Sequence, residues 1–353
     1  NTLSGVDKQV TDKPAPGSGQ NITYTITTSI PKVDYPSGAR IKRYEVVDQL
    51  DKRINKSTLA PVVKIVSGQQ ETVLADTTDY TLITAEGTKH NWATIQLTEE
   101  GRRKAAEARH NGNGETKVQV TLTATFDPKS VDLEGVLSNT AGLIPNDSPN
   151  FTWDPNNPGT TTDVPGIPTT PVLSKYGKVN LTKTGTDKLD DKTKYNGAQF
   201  QVYECTKTAS GATLRDSDPS TQTVDPLTIG GEKTFTTAGQ GTVTINSLRA
   251  NDYVDGVKKD ALTDEDYYCL VETKAPEGYT LQPDPIPFRV LATDAEAKVP
   301  TEVTVTDVPK NAGFRLPLTG ANGVIFLTVA GALLVVGGAV IAYANKRRHA
   351  AKH

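Results

Sequence analysis

The 353-residue sequence contains no methionine, two cysteines, two tryptophans and four histidines, and aromatic residues make up only 6% of it. A translated reading frame begins with Met and a secreted protein with a signal peptide, so the missing methionine leads to the expectation that the true N-terminus lies upstream of Asn1. Strong charge of one sign is also lacking. With 38 basic and 41 acidic side chains the net charge is −3, which excludes the basic field that would hold nucleic acid. His90, His110, His349 and His353 fall at no ligand spacing, and no phosphate-loop or nucleophile signature occurs. Neither a metal, nor a cofactor, nor an enzymatic active site is therefore expected. Long apolar runs are absent too, with one exception near the C-terminus.

That exception runs from Gly323 to about Ala344 and is followed by Lys346, Arg347 and Arg348. About 22 residues at ~1.5 Å each match the ~30 Å hydrocarbon core of a bilayer, so a transmembrane helix with a cytoplasmic basic tail is expected. Immediately before it stand Leu316, Pro317, Leu318, Thr319 and Gly320. The whole cassette resembles the cell-wall sorting signal of Gram-positive surface proteins. The resemblance implies that a sortase cysteine attacks the carbonyl of Thr319, releases Gly320 onward and passes the acyl group to an amine. Residues 1–310 would then lie outside the cell, with 311–353 as sorting signal. The plainer alternative is a single-pass membrane protein carrying a chance pentapeptide.

The extracellular part reads as all-β. Ile22, Tyr24 and Ile26, and then Val118, Val120, Leu122, Ala124 and Phe126, place apolar side chains at every second position, the pattern of half-buried strands. Frequent glycine (29) and proline (22) supply turns, and the length suits two tandem immunoglobulin-like β-sandwiches. One helix interrupts them: Thr98 caps it, Glu99 and Glu100 suit its positive end, and Arg102 to Arg109 is rich in alanine. The Pro-, Thr- and Gly-rich stretch Pro155 to Pro171 is expected to be a long surface loop. The domain boundary falls near Gly177, giving domains 1–177 and 178–310.

Strand phase places charges in the core. Val179 and Leu181 carry Lys183 on their face, Tyr268 and Leu270 carry Glu272, and Val303 and Val305 carry Asp307. Three buried charges in phase require pairing or neutralisation. A buried salt-bridge cluster satisfies this. So does an internal isopeptide bond, because burial favours a neutral lysine and a protonated Glu272 that polarises the Asp307 carbonyl and relays protons.

The run Tyr268 to Tyr279, which contains Glu272-Thr273-Lys274-Ala275-Pro276, resembles the E-box of pilin domains of the collagen-adhesin B type, and Gly197 to Tyr203 extends the likeness across residues 178–310. The resemblance implies a bond from Lys183 to Asp307 assisted by Glu272. Relatives mostly carry Asn where Asp307 stands, so this bond would release water instead of ammonia; Asn311 is the alternative acceptor. In the first domain, Lys8 shares a face with Val6 and Val10, Asp48 with Tyr44 and Val46, and Asn139 with Leu137 and Ala141. Residues 1–176 resemble the collagen-adhesin A-like middle domain of Spa-type backbone pilins, which implies a Lys8–Asn139 bond assisted by Asp48, with Asp51 as the alternative acid. An exposed Lys8 near a frayed terminus is the competing expectation.

In an extracellular chain Cys205 and Cys269 are expected to form a disulfide, ahead of two free thiols; both are out of phase with their apolar neighbours and leave that face. Together these readings imply a structural subunit of a covalently polymerised, wall-anchored pilus that supports adhesion. Its implied partners are a pilin-type and a housekeeping sortase, neighbouring subunits, peptidoglycan and a host surface. The Tyr-Pro-Lys motif that supplies the linking amine in such pilins is not found, because Tyr35-Pro36 is followed by Ser37. Asn1 to Lys8 resembles the segment directly after that motif in relatives. The alternatives are a monomeric wall-anchored adhesin, which the same features also fit, and a wall-anchored hydrolase.

Overall fold

Alternation builds the first sandwich. In the computed structural model, which describes residues 5–13, 21–112, 115–126, 132–146, 151–215 and 223–310, Ile22, Tyr24 and Ile26 are buried on strand Asn21–Ser29. Val118, Val120, Leu122 and Ala124 are buried on the adjacent strand Lys117–Thr125. Strands Val6–Thr11, Asn21–Ser29, Lys117–Thr125, Ala60–Ser67 and Gln70–Val73 form one sheet in that order. The facing sheet brings Gly135–Pro145, Tyr44–Asp51, His90–Leu97 and Tyr80–Glu86 side by side, and Val46, Ile95, Leu137 and Leu143 complete a shared core. Helix Glu99–Asn111 is capped as expected, with Thr98 Oγ1 accepting a hydrogen bond from Gly101 N at 3.1 Å. Its Ala105 and Ala106 reach the core. Gly101 is fixed by a close approach: a Cβ there would lie 1.9 Å from the Asp79 carbonyl oxygen.

The expected surface loop at Pro155 to Pro171 has a second task. The outward face of the Tyr44–Asp51 and His90–Leu97 strands is apolar at Val47 and Trp92, and Phe151, Trp153 and Val164 pack over it together with Ile144. The two tryptophan rings stand 4.9 Å apart. Arg43 ties the strap down through the Phe151 and Trp153 carbonyls at 3.0 and 3.1 Å. Ile167 and Pro168 form a short strand against Leu143 and Gly142.

Strand Val172–Gly185 is 14 residues long and serves both sandwiches. Val172 to Tyr176 pair antiparallel with Asn139 to Gly135. From Tyr176 on, the strand pairs antiparallel with Thr242–Arg249, with a register shift between Gly177 and Val179, and from Val179 on it also pairs parallel with Thr301–Asp307. The expected boundary at Gly177 thus lies inside one continuous strand, and residues through Asp307 form one compact unit. Asp12 and Asp255 add a reciprocal tie, each carboxylate accepting from the other's backbone N–H at 2.9 and 2.8 Å.

The second sandwich faces this shared strand with Gly211–Leu214, Gln199–Thr208, Tyr267–Lys274 and Ile286–Phe288. Phe200, Val202, Tyr268 and Leu270 meet Val179, Leu181, Ile245 and Val305 in its core. Cys205 and Cys269 form the disulfide. They sit on the sheet face away from Phe200 and Leu270, as their phase requires, yet both are completely buried, so this outer face is itself covered. Breaking the bond by Cys205→Ser should lower unfolding free energy in urea by at most about 4 kcal/mol, the loop-entropy limit for a loop of this length. A second cross-link in the same domain would reduce that figure.

Candidate isopeptide sites

Each sandwich gathers one amine and two carbonyl-bearing side chains at a depth where charge is disfavoured. In the second, Lys183 projects from the shared strand, Asp307 from the parallel strand beside it, and Glu272 from the facing sheet. All three side chains are fully buried. Lys183 Nζ meets Asp307 Oδ1 directly and stands 3.3 Å from Glu272 Oε1. Burial pushes the Glu272 carboxyl above its usual range, opposed by the Gln282 N–H donated to Oε2 at 2.7 Å and by Lys183. Lys183 Nζ, Glu272 Oε1 and both Asp307 oxygens are buried without a hydrogen bond of acceptable geometry. A working salt bridge would satisfy those atoms, whereas an amide formed between Nζ and the Asp307 carbonyl carbon removes the need.

The first sandwich repeats the chemistry with different placement. Lys8 lies on the edge strand Val6–Thr11 of one sheet, while Asp48 and Asn139 lie on adjacent strands of the other. Lys8 Nζ donates to Asp48 Oδ1 at 2.5 Å, and both side chains are fully buried. Burial lowers the Lys8 pKa and raises that of Asp48, each against the attraction of its partner; the adjacent Asn139 amide also favours the Asp48 anion. Neither Asn139 amide atom has a hydrogen bond of good geometry, and Asp48 Oδ2 is likewise unpartnered. The expectation of an exposed Lys8 is overturned, because its strand is fully paired along Asn21–Ser29. Asp51 is not the assisting acid: Arg53 engages both its oxygens at 2.9 Å and holds its pKa low. Asn311, the motif Leu316 to Gly320, and the apolar run with its transmembrane expectation lie outside the described residues; among the described residues no helix is long and apolar enough to cross a membrane.

Two family models match the chain, an LPXTG cell wall anchor motif over residues 308–351 and a prealbumin-like fold domain over residues 177–308. The fimbrial protein FimP of Actinomyces oris superposes with a TM-score of 0.80 at 86% identity, across 88% of this chain and 69% of that one. The chain belongs to the LPXTG-anchored pilins of the Spa type. This pilin is also 87% identical over its whole length to fimbrial subunit type 1 of Actinomyces viscosus, and 32% identical over 338 residues to fimbrial subunit type 2 of Actinomyces naeslundii. It spans 66% and 58% of the lengths of those two subunits. The full-length major pilin SpaD of Corynebacterium diphtheriae shares 25% identity and a TM-score of 0.59 over 87% of this chain and 67% of that one. The anchor motif makes the pilin a cell-wall-anchored surface protein.

Strand phase assigned Lys8, Asp48, Asn139, Lys183, Glu272 and Asp307 to faces that are buried in the structure, but it missed the side chains packed at the Gly185 end of the Lys183 strand. Asp187, Tyr195 and Tyr279 converge there: Tyr279 Oη donates to Asp187 Oδ2 at 2.7 Å and Tyr195 Oη to Oδ1 at 3.1 Å. Tyr279 is the last residue of the E-box run, and no alternation marks it. The folded pilin is expected to weigh less than its sequence by one ammonia for Lys8–Asn139, one water for Lys183–Asp307 and two hydrogens for the disulfide. Intact-mass spectrometry before and after reduction reads all three. Glu272→Ala should restore the water alone and Asp48→Ala the ammonia alone; a full sequence mass after reduction of the unmodified chain overturns both bonds.

Proposed function

We propose that the chain is the structural subunit of a covalently polymerised pilus, joined to the next subunit through the Thr319 acyl group by a sortase and cross-linked internally at Lys8–Asn139 and Lys183–Asp307. The observation that carries this reading is the pair of buried Lys–acid–acceptor clusters upstream of an LPXTG anchor motif. A fibre anchored at one end and loaded at the other carries tension along its backbone. A bond from Lys183 to Asp307, at the end of the last strand, lets that tension bypass the 123 residues between them without unfolding the sandwich. In this reading the chain forms these bonds by self-catalysis and serves sortases as a substrate. A pilin-type sortase polymerises it, a housekeeping sortase transfers the finished fibre to peptidoglycan, and a host surface is its distal target.

No Tyr-Pro-Lys occurs in this sequence, and no lysine of the chain is assigned as the linking amine. A monomeric wall-anchored adhesin would have the same anchor and the same sandwiches, so polymerisation is the test. Boiled, reduced cell-wall extracts of cells expressing the full-length subunit should give a ladder of covalent multimers on immunoblots. Thr319→Ala should collapse it to a single membrane-associated band. One monomer-sized wall-linked band from the unmodified subunit would establish the adhesin reading instead.

A further inference from the structure

The Lys183–Asp307 site differs from a lysine–asparagine site in its leaving group. When the Lys183 amine attacks the Asp307 carboxyl carbon, the C–N bond forms and the C–OH bond breaks. Glu272 donates a proton to the departing hydroxyl and recovers one from the nitrogen, so the sum is amine plus acid giving amide plus water. The by-product is the solvent itself. Ammonia from an asparagine would be diluted away, whereas water stands ready to reverse the step unless it is kept out.

Three residues are placed to keep it out. Gly185 lies on the same buried face as Lys183 and is the direct register partner of Asp307. A Cβ at Gly185 would lie 2.2 Å from Asp187 Oδ1, 2.7 Å from Tyr279 Cε1 and 3.0 Å from Tyr195 Cε1, so these side chains fill the space that residue 185 leaves empty. Tyr195 also abuts Gly241, where a Cβ would meet Tyr195 Cβ at 2.9 Å and the Lys183 carbonyl oxygen at 3.0 Å. The rings stand edge to face, 5.5 Å apart. Both tyrosines are buried, while Asp187 is exposed and receives both hydroxyls. The Leu189 N–H donates to Tyr195 Oη at 2.9 Å, and the Thr186 N–H donates to the backbone carbonyl oxygen of Asp307 at 2.9 Å, which fixes the end of that strand. Glu272 pins Gln282 three residues beyond Tyr279, so the segment crossing this end of the strands is fastened on both sides.

We propose that Tyr195, Tyr279 and Asp187 form a water-excluding clamp that makes the Lys183–Asp307 condensation run to completion, acting as positioning residues and not as proton carriers. The proposal rests on the isopeptide reading of this site. Its test uses the full chain and peptide mass spectrometry of the Lys183 and Asp307 peptides. The unmodified chain should be more than nine-tenths cross-linked with loss of one water. Tyr279→Phe, which keeps the ring, and Asp187→Ala should each raise the uncross-linked fraction at least fivefold, and incubation in H2 18O should label Asp307 in those variants.

The decisive arm adds Asp307→Asn to each clamp variant. Loss of ammonia makes the forming step one-way, so early after folding the asparagine bond should form in the double variants as fast as in the Asp307→Asn single variant, whereas the aspartate bond in the clamp variants stops short of completion. That dependence on the leaving group is not expected of residues that merely stabilise the fold. Equal slowing of the aspartate and asparagine bonds at early times, or full cross-linking without 18O uptake in both clamp variants, overturns the clamp. Absence of any water deficit in the unmodified chain overturns the bond itself, a separate result.

Discussion

The structure depends on lysine amines held in dry cores beside carboxyl groups. An isolated buried ion costs several kcal/mol even after relaxation, so a site that gathers amine and acid without water favours their neutral forms. Neutral amine and protonated acid are also the forms between which an amide can be made. The strand register, the paired acids and the packing around Lys183 and Lys8 all keep these groups close and unsolvated. A covalent bond ends the electrostatic conflict that brought them together, since neither charge then needs a partner.

The two sandwiches solve this problem with opposite geometries. In the first, donor and acceptor come from opposing sheets, and the assisting Asp48 neighbours the acceptor strand. The proposed Lys8–Asn139 bond would staple the two layers across the core. In the second, Lys183 and Asp307 are on adjacent parallel strands of one sheet, and Glu272 reaches them from the facing layer. The proposed Lys183–Asp307 bond would reinforce a strand pair already aligned along the chain direction. The assisting acid therefore does not have to share a sheet with either reactant; it has only to arrive at the same depth.

The burial of these groups was legible in the sequence because a strand repeats every two residues, so two apolar neighbours suffice to assign a face to Lys183, Glu272 or Asn139. The cap at Thr98 was legible for the same local reason. Period-two patterning does not encode partners, and so the sharing of Val172–Gly185 between sandwiches was hidden; both halves read simply as strand. It likewise assigns Cys205 and Cys269 to a face without saying what covers that face. Tyr195 belongs to a short 3-10 turn and Tyr279 to a loop, where no periodicity reports on burial. The stretch Pro155 to Pro171 read as a surface loop by composition, but its Val164 packs against Val47 and Trp92.

The continuity of Val172–Gly185 has a material consequence. Two domains joined by a tether bend at the tether, and a string of them behaves as beads. Here the sheet hydrogen bonds run on across the junction, and the Asp12–Asp255 tie holds a second point away from the strand. Bending at this junction would therefore break sheet hydrogen bonds as well as the carboxylate tie. In any fibre built from the chain, curvature is resisted at the join of the two sandwiches and has to be taken up elsewhere along the filament.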